Sequence, residues 1–206
     1  MHICITDFLL DIVQNSFEAD SSLVELTFRE TGNKLSCLVR DNGKGMHAEI
    51  QKKVLDPFYS DGIKHEKRKV GLGLPFLSQA CEASNGSFAL QSEVGVGTTV
   101  SFSFPLDHID TPPMGDVAST FLALLSHPLC KEMVIHRSLE TGTGKEAYTL
   151  RKRELEAVLG PFETSGILSL LRQYLASQEE ELDQYREETT LDVQRGNTSP
   201  SRQQEM

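Results

Sequence analysis

A carboxylate and two glycines directly follow a β-rich run in the first half of the chain. The run from Lys34 to Arg40 leads into Asp41-Asn42-Gly43-Lys44-Gly45-Met46, so the backbone must turn tightly where the carboxylate is presented. A half-buried Asp accepts hydrogen bonds strongly, and an exocyclic amine such as N6 of adenine is a matching donor. Because glycine has no Cβ, a flat ring could lie close to the main chain at Gly43 and Gly45. A hairpin turn remains the alternative interpretation of this pattern.

A second group of polar side chains lies on an amphipathic helix predicted from His2 to Ala19. Its apolar residues recur at steps of three and four and are Ile5, Phe8, Leu9, Ile12, Val13 and Phe17. Asp7, Asp11 and Asn15 follow one another at four-residue steps and share another face. Asn15 could offer a neutral oxygen to Mg²⁺, while Asp11, one turn away, could orient or deprotonate a water. The alternative is a solvated helix face.

A pair of glycines before a helix marks a third candidate site. The run Val70-Gly71-Leu72-Gly73-Leu74-Pro75 leads into an amphipathic helix. Glycines at a helix N-terminus expose amides and the positive end of the helix dipole, where a polyphosphate can bind. The charged connection before it places Arg68 and Lys69 close enough in sequence to assist. A capping turn is the alternative, because an isolated Gly-x-Gly is weak evidence.

The first half of the chain alternates helices and hairpins around these three groups. Alternating apolar and polar residues predict two hairpins, whose strands are Leu23 to Glu30 with Leu35 to Val39, and Phe88 to Ser92 with Thr99 to Phe104. A short helix is predicted from Ala48 to Leu55, which stops before Asp56-Pro57. The order predicts an α+β fold, a two-layer α/β sandwich with helices on one face of the sheet.

The second half predicts a small α+β C-terminal extension. Its elements are a linker from Asp107 to Pro113, a helix from Gly115 to Ser126, a hairpin of Glu132 to Ser138 with Glu146 to Leu150, a helix from Lys152 to Leu159, and a long helix from Ser165 to about Glu188. The long helix has an apolar stripe that predicts core packing, with a dimer or partner surface as the alternative. The predicted boundaries are 1–106, 107–190 and a disordered tail over 191–206.

Composition restricts the partners and the compartment. The net charge of −10 with no basic cluster argues against nucleic acid, because phosphate neutralisation needs Lys and Arg. The four cysteines lie far apart in sequence, which predicts free thiols in a reducing compartment rather than a zinc or redox motif. No apolar run reaches about 18 residues and the N-terminus lacks a signal-peptide pattern. We therefore expect a cytoplasmic protein with no membrane partner.

The order of these elements resembles a known superfamily. The matching stretches are Asp11-x-x-x-Asn15-Ser16, Asp41-x-Gly43-x-Gly45, Asp56-Pro57-Phe58, Gly71-x-Gly73-Leu74 and Gly97-Thr98-Thr99. Together they resemble the GHKL superfamily of DNA gyrase, heat-shock chaperone ATPases, sensor histidine kinases and mismatch-repair ATPases, and look most like the histidine kinase branch. The resemblance covers about residues 2–106 and implies the Bergerat ATP-binding fold, which has a mixed sheet with helices on one face. The chain is also similar to uncharacterised bacterial ATP-binding proteins that add a short C-terminal extension to such a domain.

The resemblance implies a role for each matching position. The nucleotide-binding set would be Asn15, Asp41, Gly43, Gly45, Met46, Phe58, Lys69, Gly71, Gly73, Leu74 and Thr98. Asp41 would bind the adenine amine, and Thr98 would support the adenine end. Gly71 and Gly73 would meet the phosphates under a lid of about residues 59–70, with Phe58 packed near its base.

The metal and catalytic positions carry one departure from the family pattern. Asn15 would coordinate Mg²⁺, and Asp11 would be the catalytic residue. The position of Asp11 is typically Glu in the hydrolysing branches and often Asn in histidine kinases. Aspartate keeps the carboxylate but is one methylene shorter, which changes its reach to a water.

The expected function follows from this resemblance. We expect an ATP- and Mg²⁺-binding protein that hydrolyses ATP or transfers its γ-phosphoryl group to a separate protein. The expected protein partner is a phosphoacceptor or another binding protein. The alternative is a nucleotide-dependent interaction or regulatory module, in which ATP only orders the lid and changes the surface shown to a partner.

Overall fold

The computed structural model describes residues 4–55, 73–142 and 144–196, and its strands form one sheet. The strands are β1 (Val24–Thr31), β2 (Lys34–Asp41), β3 (Ser87–Glu93), β4 (Gly97–Pro105), β5 (Met133–Glu140) and β6 (Lys145–Arg151). Their order in the sheet is β3-β4-β2-β1-β5-β6. Neighbours are antiparallel except β1 and β5, which are parallel. The predicted mixed sheet is confirmed, and the hairpin predicted in the second half continues the same sheet as β5 and β6.

Helices cover one face of this sheet. They are α1 (Ile5–Glu18), α2 (Ala48–Lys53), α3 (Gly73–Ala83), α4 (Val117–Leu125), α5 (Lys152–Leu159) and α6 (Ser165–Gly196). Helices α3, α1, α4 and α6 pack side by side in that order, with α3 beside β3 and α6 beside β6. One apolar core unites side chains from both halves of the chain. The boundary predicted at residue 106 stays a prediction, and α6 continues into the segment predicted as a tail.

The apolar stripe of α1 is the reason this helix lies at the centre of the layer. All six stripe residues named from the sequence are buried. At the N-terminus, the Cys4 amide donates to Asp7 Oδ2 at 3.0 Å, which caps the first turn. The three polar residues predicted to share one face of this helix therefore do not act together. Asp7 caps the N-terminus, while Asp11 and Asn15 lie one and two turns further along.

The four cysteines are free thiols, as predicted. Cys37, Cys81 and Cys130 are buried, and burial raises the pKa of Cys81 to about 12 and that of Cys130 to about 11. Burial also raises the pKa of Cys37.

Within the described ranges, none of the helices has the length and hydropathy required to cross a bilayer.

A cluster of buried charged side chains lies between α6 and the strands β1, β5 and β6. Arg137 on β5 donates to Glu30 on β1, and its Nε donates to Glu179 Oε1 on α6 at 3.2 Å. The hydroxyl of Tyr148 on β6 also donates to Glu179, and Arg186 Nη2 donates to Glu30 Oε2 at 2.8 Å. The cluster therefore joins three strands to the long helix.

The carboxylates of the cluster favour the ionised form of Arg137. Burial alone would lower the pKa of Arg137, but the carboxylates of Glu179 and Glu30 outweigh it and raise the pKa above its usual value. The guanidinium also lies 5.0 Å from the ring centroid of Phe28. Removing one member of such a group leaves a buried charge without its partner.

Substitution of Arg137 with Met should destabilise the protein by about 3–5 kcal/mol, the usual effect of breaking a buried ion pair. The matched control is Arg29→Met, because Arg29 pairs with Glu140 at 2.5 Å on the surface. Exposed pairs contribute at most about 1 kcal/mol. Urea denaturation measures both losses, and equal losses in the two variants would contradict the structural role of the cluster.

Candidate functional site

The side chain of Asp41, the last residue of β2, is buried and held by three parts of the chain. Its Oδ1 accepts the amides of Gly43 at 2.9 Å and of Thr98 at 3.1 Å. Its Oδ2 accepts the hydroxyl of Ser16 on α1 at 2.7 Å. A carboxylate offers about four acceptor sites. The three described donors use two sites on Oδ1 and one on Oδ2, which leaves one acceptor site on Oδ2.

The turn after Asp41 is as tight as the sequence predicts. Gly45 has φ +66°, and a Cβ at this residue would lie 1.9 Å from the carbonyl oxygen of Glu93. A Cβ on Gly43 would lie 2.8 Å from the carbonyl oxygen of Ala19. Both glycines therefore pack the turn against the protein's own backbone. The approach of a flat ring to these two residues stays a prediction.

A hydrogen-bonded group of side chains fixes Met46 and Thr98 beside this turn. The amide of Met46 donates to Ser92 Oγ at 2.9 Å, and Ser92 Oγ lies 2.9 Å from Thr98 Oγ1. Gln51 on α2 donates to the carbonyl oxygens of Met46 at 3.1 Å and Ser92 at 2.6 Å. The turn, α2 and the hairpin of β3 and β4 are thus joined around the predicted adenine end.

The polar face of α1 meets the N-terminus of α3. A Cβ on Gly73, the first residue of α3, would lie 2.9 Å from Asp11 Oδ2 and 3.0 Å from Asp11 Cβ. Asp11 is half-buried there, while Asn15, one turn further along α1, is exposed. Leu74 is half-buried and packs against the core. The structure thus brings Asp11 to the helix N-terminus at which phosphate binding is predicted.

Part of the predicted site lies outside the described residues. This holds for Phe58, Lys69, Gly71 and the predicted lid of about residues 59–70. Within residues 4–55, 73–142 and 144–196, no three His, Cys, Asp or Glu side chains form a metal-binding cluster. The binding of Mg²⁺ by Asn15 stays a prediction.

A cavity of about 430 Å³ lies beside Asp41. Glu25, Arg40, Gln91 and Thr99 line it, and these residues pair with one another across β1, β2, β4 and β3. Side chains alternate between the two faces of a strand. These four side chains therefore lie on the face opposite to the Asp41 carboxylate, which meets Ser16 on the helix-covered face. Asp41 itself also lines the cavity, together with Ser92 and Thr98.

Sequence reasoning gave no role to three polar residues of the site, although Ser16 and Asn42 lie within the motifs that it used. Ser16 binds Asp41, Ser92 joins the turn to β4, and Asn42 Oδ1 accepts the amides of Ser22 at 2.9 Å and Leu23 at 3.0 Å. Ser16 follows Ile12 by four residues and so falls within the apolar stripe of α1. A lone hydroxyl in such a stripe indicates a buried hydrogen bond. Ser92 and Asn42 carry no comparable signal.

The fold and site define a class of protein: a two-layer α/β sandwich with a fixed carboxylate at a strand end and a helix N-terminus beside a polar helix face. A family model described as "Histidine kinase-, DNA gyrase B-, and HSP90-like ATPase" matches residues 4–108, which is just over half of the chain. The chain belongs to this family. The resemblance inferred from the sequence motifs is confirmed, including its histidine kinase branch.

The relatives of this chain include sensor proteins and histidine kinases. Sensor protein RprX of Bacteroides fragilis is 34% identical over 113 residues, which cover 52% of this chain and 21% of RprX. Sporulation kinase C of Bacillus subtilis is 29% identical over 99 residues, which cover 47% of this chain and 22% of the kinase. This chain thus spans about a fifth of the length of these relatives.

The solved structures to which the chain is similar include the catalytic domain of a histidine kinase and the N-terminal domain of a DNA repair protein. The catalytic domain of histidine kinase ThkA is 22% identical, with a TM-score of 0.39 over 52% of this chain and 66% of that chain. The N-terminal domain of a DNA repair protein is 13% identical, with a TM-score of 0.47 over 80% of this chain and 58% of that chain.

Gly45→Ala should destabilise the turn much more than Gly32→Ala does. Both glycines have positive φ, but a Cβ on Gly32 would meet nothing within 4 Å, whereas one on Gly45 would collide with Glu93. We expect a loss of about 1–2 kcal/mol for Gly32→Ala from backbone strain alone. For Gly45→Ala we expect at least about 3 kcal/mol, because overpacking adds to this strain. Thermal unfolding measures both, and similar losses would contradict the close packing of the turn.

Proposed function

We propose that this chain binds Mg-ATP at the Asp41 site and either hydrolyses ATP or transfers its γ-phosphoryl group to a separate protein. The observation that carries the proposal is the Asp41 carboxylate, which is held by three donors and keeps one acceptor site on Oδ2. Membership of the ATPase family supports ATP as the ligand.

At the adenine end, Asp41 would accept a hydrogen bond from the N6 amine. The side chain is already oriented by Gly43, Thr98 and Ser16, so binding would require little reorganisation. The group of Met46, Ser92 and Thr98 would form the adjoining wall. A carboxylate whose other acceptor sites are filled favours a base that offers an amine over one that offers a carbonyl oxygen.

At the phosphate end, α1 and α3 would act together. The N-terminus of α3 at Gly73 has the dipole and amides that favour a polyphosphate, and Lys69, Gly71 and Leu74 would complete this end. Asn15 would hold Mg²⁺, which offsets the charge of the phosphates when it is bound. Asp11, which lies against Gly73, would orient a water or the hydroxyl or imidazole of an acceptor.

The donors in this site serve hydrolysis and transfer equally, since phosphoryl transfer depends mainly on positioning and charge neutralisation. The acceptor decides between them. With water as the acceptor the protein is an ATPase, and with a side chain of a partner it is a protein kinase of the histidine kinase type. A cytoplasmic location remains the expectation from the sequence.

Asp11→Asn should lower phosphate release by about 100-fold or more, the usual contribution of a general base. ATP affinity should stay nearly unchanged, because Asp11 would act on the acceptor and not on the adenine. The matched control is Glu18→Gln, which changes a carboxylate on the exposed end of the same helix and should leave release and affinity intact. A phosphate-release assay and calorimetry on the same samples measure the two quantities.

Unchanged release in Asp11→Asn would contradict the role of Asp11. ATP binding by the native chain without phosphate release or phosphoprotein formation would instead favour the nucleotide-dependent interaction module.

A further inference from the structure

Strand β6 ends the sheet, and its outer edge has a regular set of hydrogen-bonding groups. Among the described strands, β6 pairs with β5 alone. The amide of Thr141 donates to the carbonyl oxygen of Gly144 at 2.8 Å, which sets the register of the hairpin. Hydrogen-bonded and non-hydrogen-bonded pairs alternate in an antiparallel ladder. The amides directed away from β5 therefore belong to Lys145, Ala147, Thr149 and Arg151.

Helix α6 runs beside this edge and forms a groove with it. The groove has a volume of about 330 Å³. Glu146 and Tyr148 line it from β6, while Glu181, Leu182 and Tyr185 line it from α6. A groove between an edge strand and a helix is the geometry in which extended peptides add to a sheet, since the edge supplies main-chain hydrogen bonds and the helix supplies side-chain contacts.

The two walls of the groove are fixed relative to each other. Tyr148 on β6 donates to Glu179 on α6, and Glu179 also accepts from Arg137 on β5. One turn beyond Leu182, Arg186 donates to Glu30 on β1. These bonds lie along the inner side of the groove, so its width is set before any partner binds.

The charges of the groove indicate the chemistry of its occupant. Two of the lining side chains are carboxylates, Glu146 and Glu181, and none of the described lining residues is Lys or Arg. Leu182, Tyr148 and Tyr185 contribute apolar surface between them. An occupant that matches has basic side chains on the face that enters the groove, with an apolar side chain between them.

We propose that the groove between β6 and α6 binds an extended segment of a partner protein as a seventh strand of the sheet. Its basic side chains lie against Glu146 and Glu181, and its apolar side chain lies against Leu182 and Tyr185. The groove is separate from the nucleotide site. The strands β5 and β1 lie between β6 and β2, which gives a spacing of about 14 Å across the sheet.

A second copy of the chain fits this edge less well than a basic segment does. Two β6 strands that pair antiparallel along their whole length, centred on Tyr148, place Lys145 opposite Arg151 at both ends. Like charges directly opposite each other destabilise a strand pair. The other edge of the sheet, β3, differs because α2 packs beside it.

The test uses the full chain and a blocked seven-residue peptide in which two lysines and a central valine alternate with threonines. We expect saturable binding by fluorescence polarisation and slower hydrogen exchange of the β6 amides when the peptide is bound. The same peptide with glutamates for lysines, or with methylated backbone nitrogens on its pairing edge, should bind at least tenfold more weakly. Equal binding of either control peptide, or no protection of β6, would overturn the proposal.

Variants of the chain locate the site. Glu181→Lys should weaken peptide binding by about fivefold, the effect of replacing one exposed attraction with a repulsion. Glu163→Lys makes the same change in net charge outside the groove and should leave binding unchanged. Ala147→Pro removes an edge amide at a position where proline is tolerated, and it should abolish protection of β6. Equal effects of Glu181→Lys and Glu163→Lys, or a concentration-dependent dimer through β6, would overturn the proposal.

Discussion

The hydrogen bonds to the Asp41 carboxylate join three segments that are far apart in sequence. Ser16 contributes from the first helix, Gly43 from the adjacent turn and Thr98 from the start of β4. A buried carboxylate needs such donors, because an unpaired charge in the interior costs several kcal/mol. The same bonds that stabilise this end of the sheet also fix the direction of the remaining acceptor site. Stability and ligand geometry therefore depend on one group.

The local elements were predictable because their signals are periodic. The stripe of α1 at three- and four-residue steps and the alternation of Val24, Leu26 and Phe28 in β1 correspond to buried faces in the structure. The turn at Asp41 was predictable from its glycines. Sequence reasoning also singled out Asp41, Asp11 and Thr98, and the structure places Asp41 beside Thr98 and Asp11 against Gly73. The roles of these residues stay predictions.

The long-range features were not predictable, since they depend on contacts between distant segments. Nothing in the sequence of β5 indicates that it pairs in parallel with β1, so the expectation of a C-terminal extension did not include this pairing. Glu30 and Arg137 resemble ordinary charged strand residues until β1 and β5 are adjacent, when they become a buried pair. Ser16 likewise gains its role only when β2 passes beneath α1.

The carboxylates at the two sides of the sheet have different partners. Near Asp41, a carboxylate is surrounded by neutral donors, which suits an uncharged base. Near Glu179, carboxylates are neutralised by two arginines, which ties the long helix to the sheet and fixes the adjoining groove. Because the rigid sheet connects both regions, a partner held at β6 would keep a constant position relative to the nucleotide site.

The most direct measurement of the central claim is calorimetric titration of the native chain with ATP and with ITP, both with Mg²⁺. ITP has a carbonyl oxygen in place of the N6 amine, so Asp41 would lose a hydrogen bond and face another acceptor. We expect ITP to bind at least about tenfold more weakly than ATP, and this preference to disappear in Asp41→Asn. Equal affinities for ATP and ITP in the native chain, or no binding of ATP, would contradict the assignment of Asp41 as the adenine-binding residue.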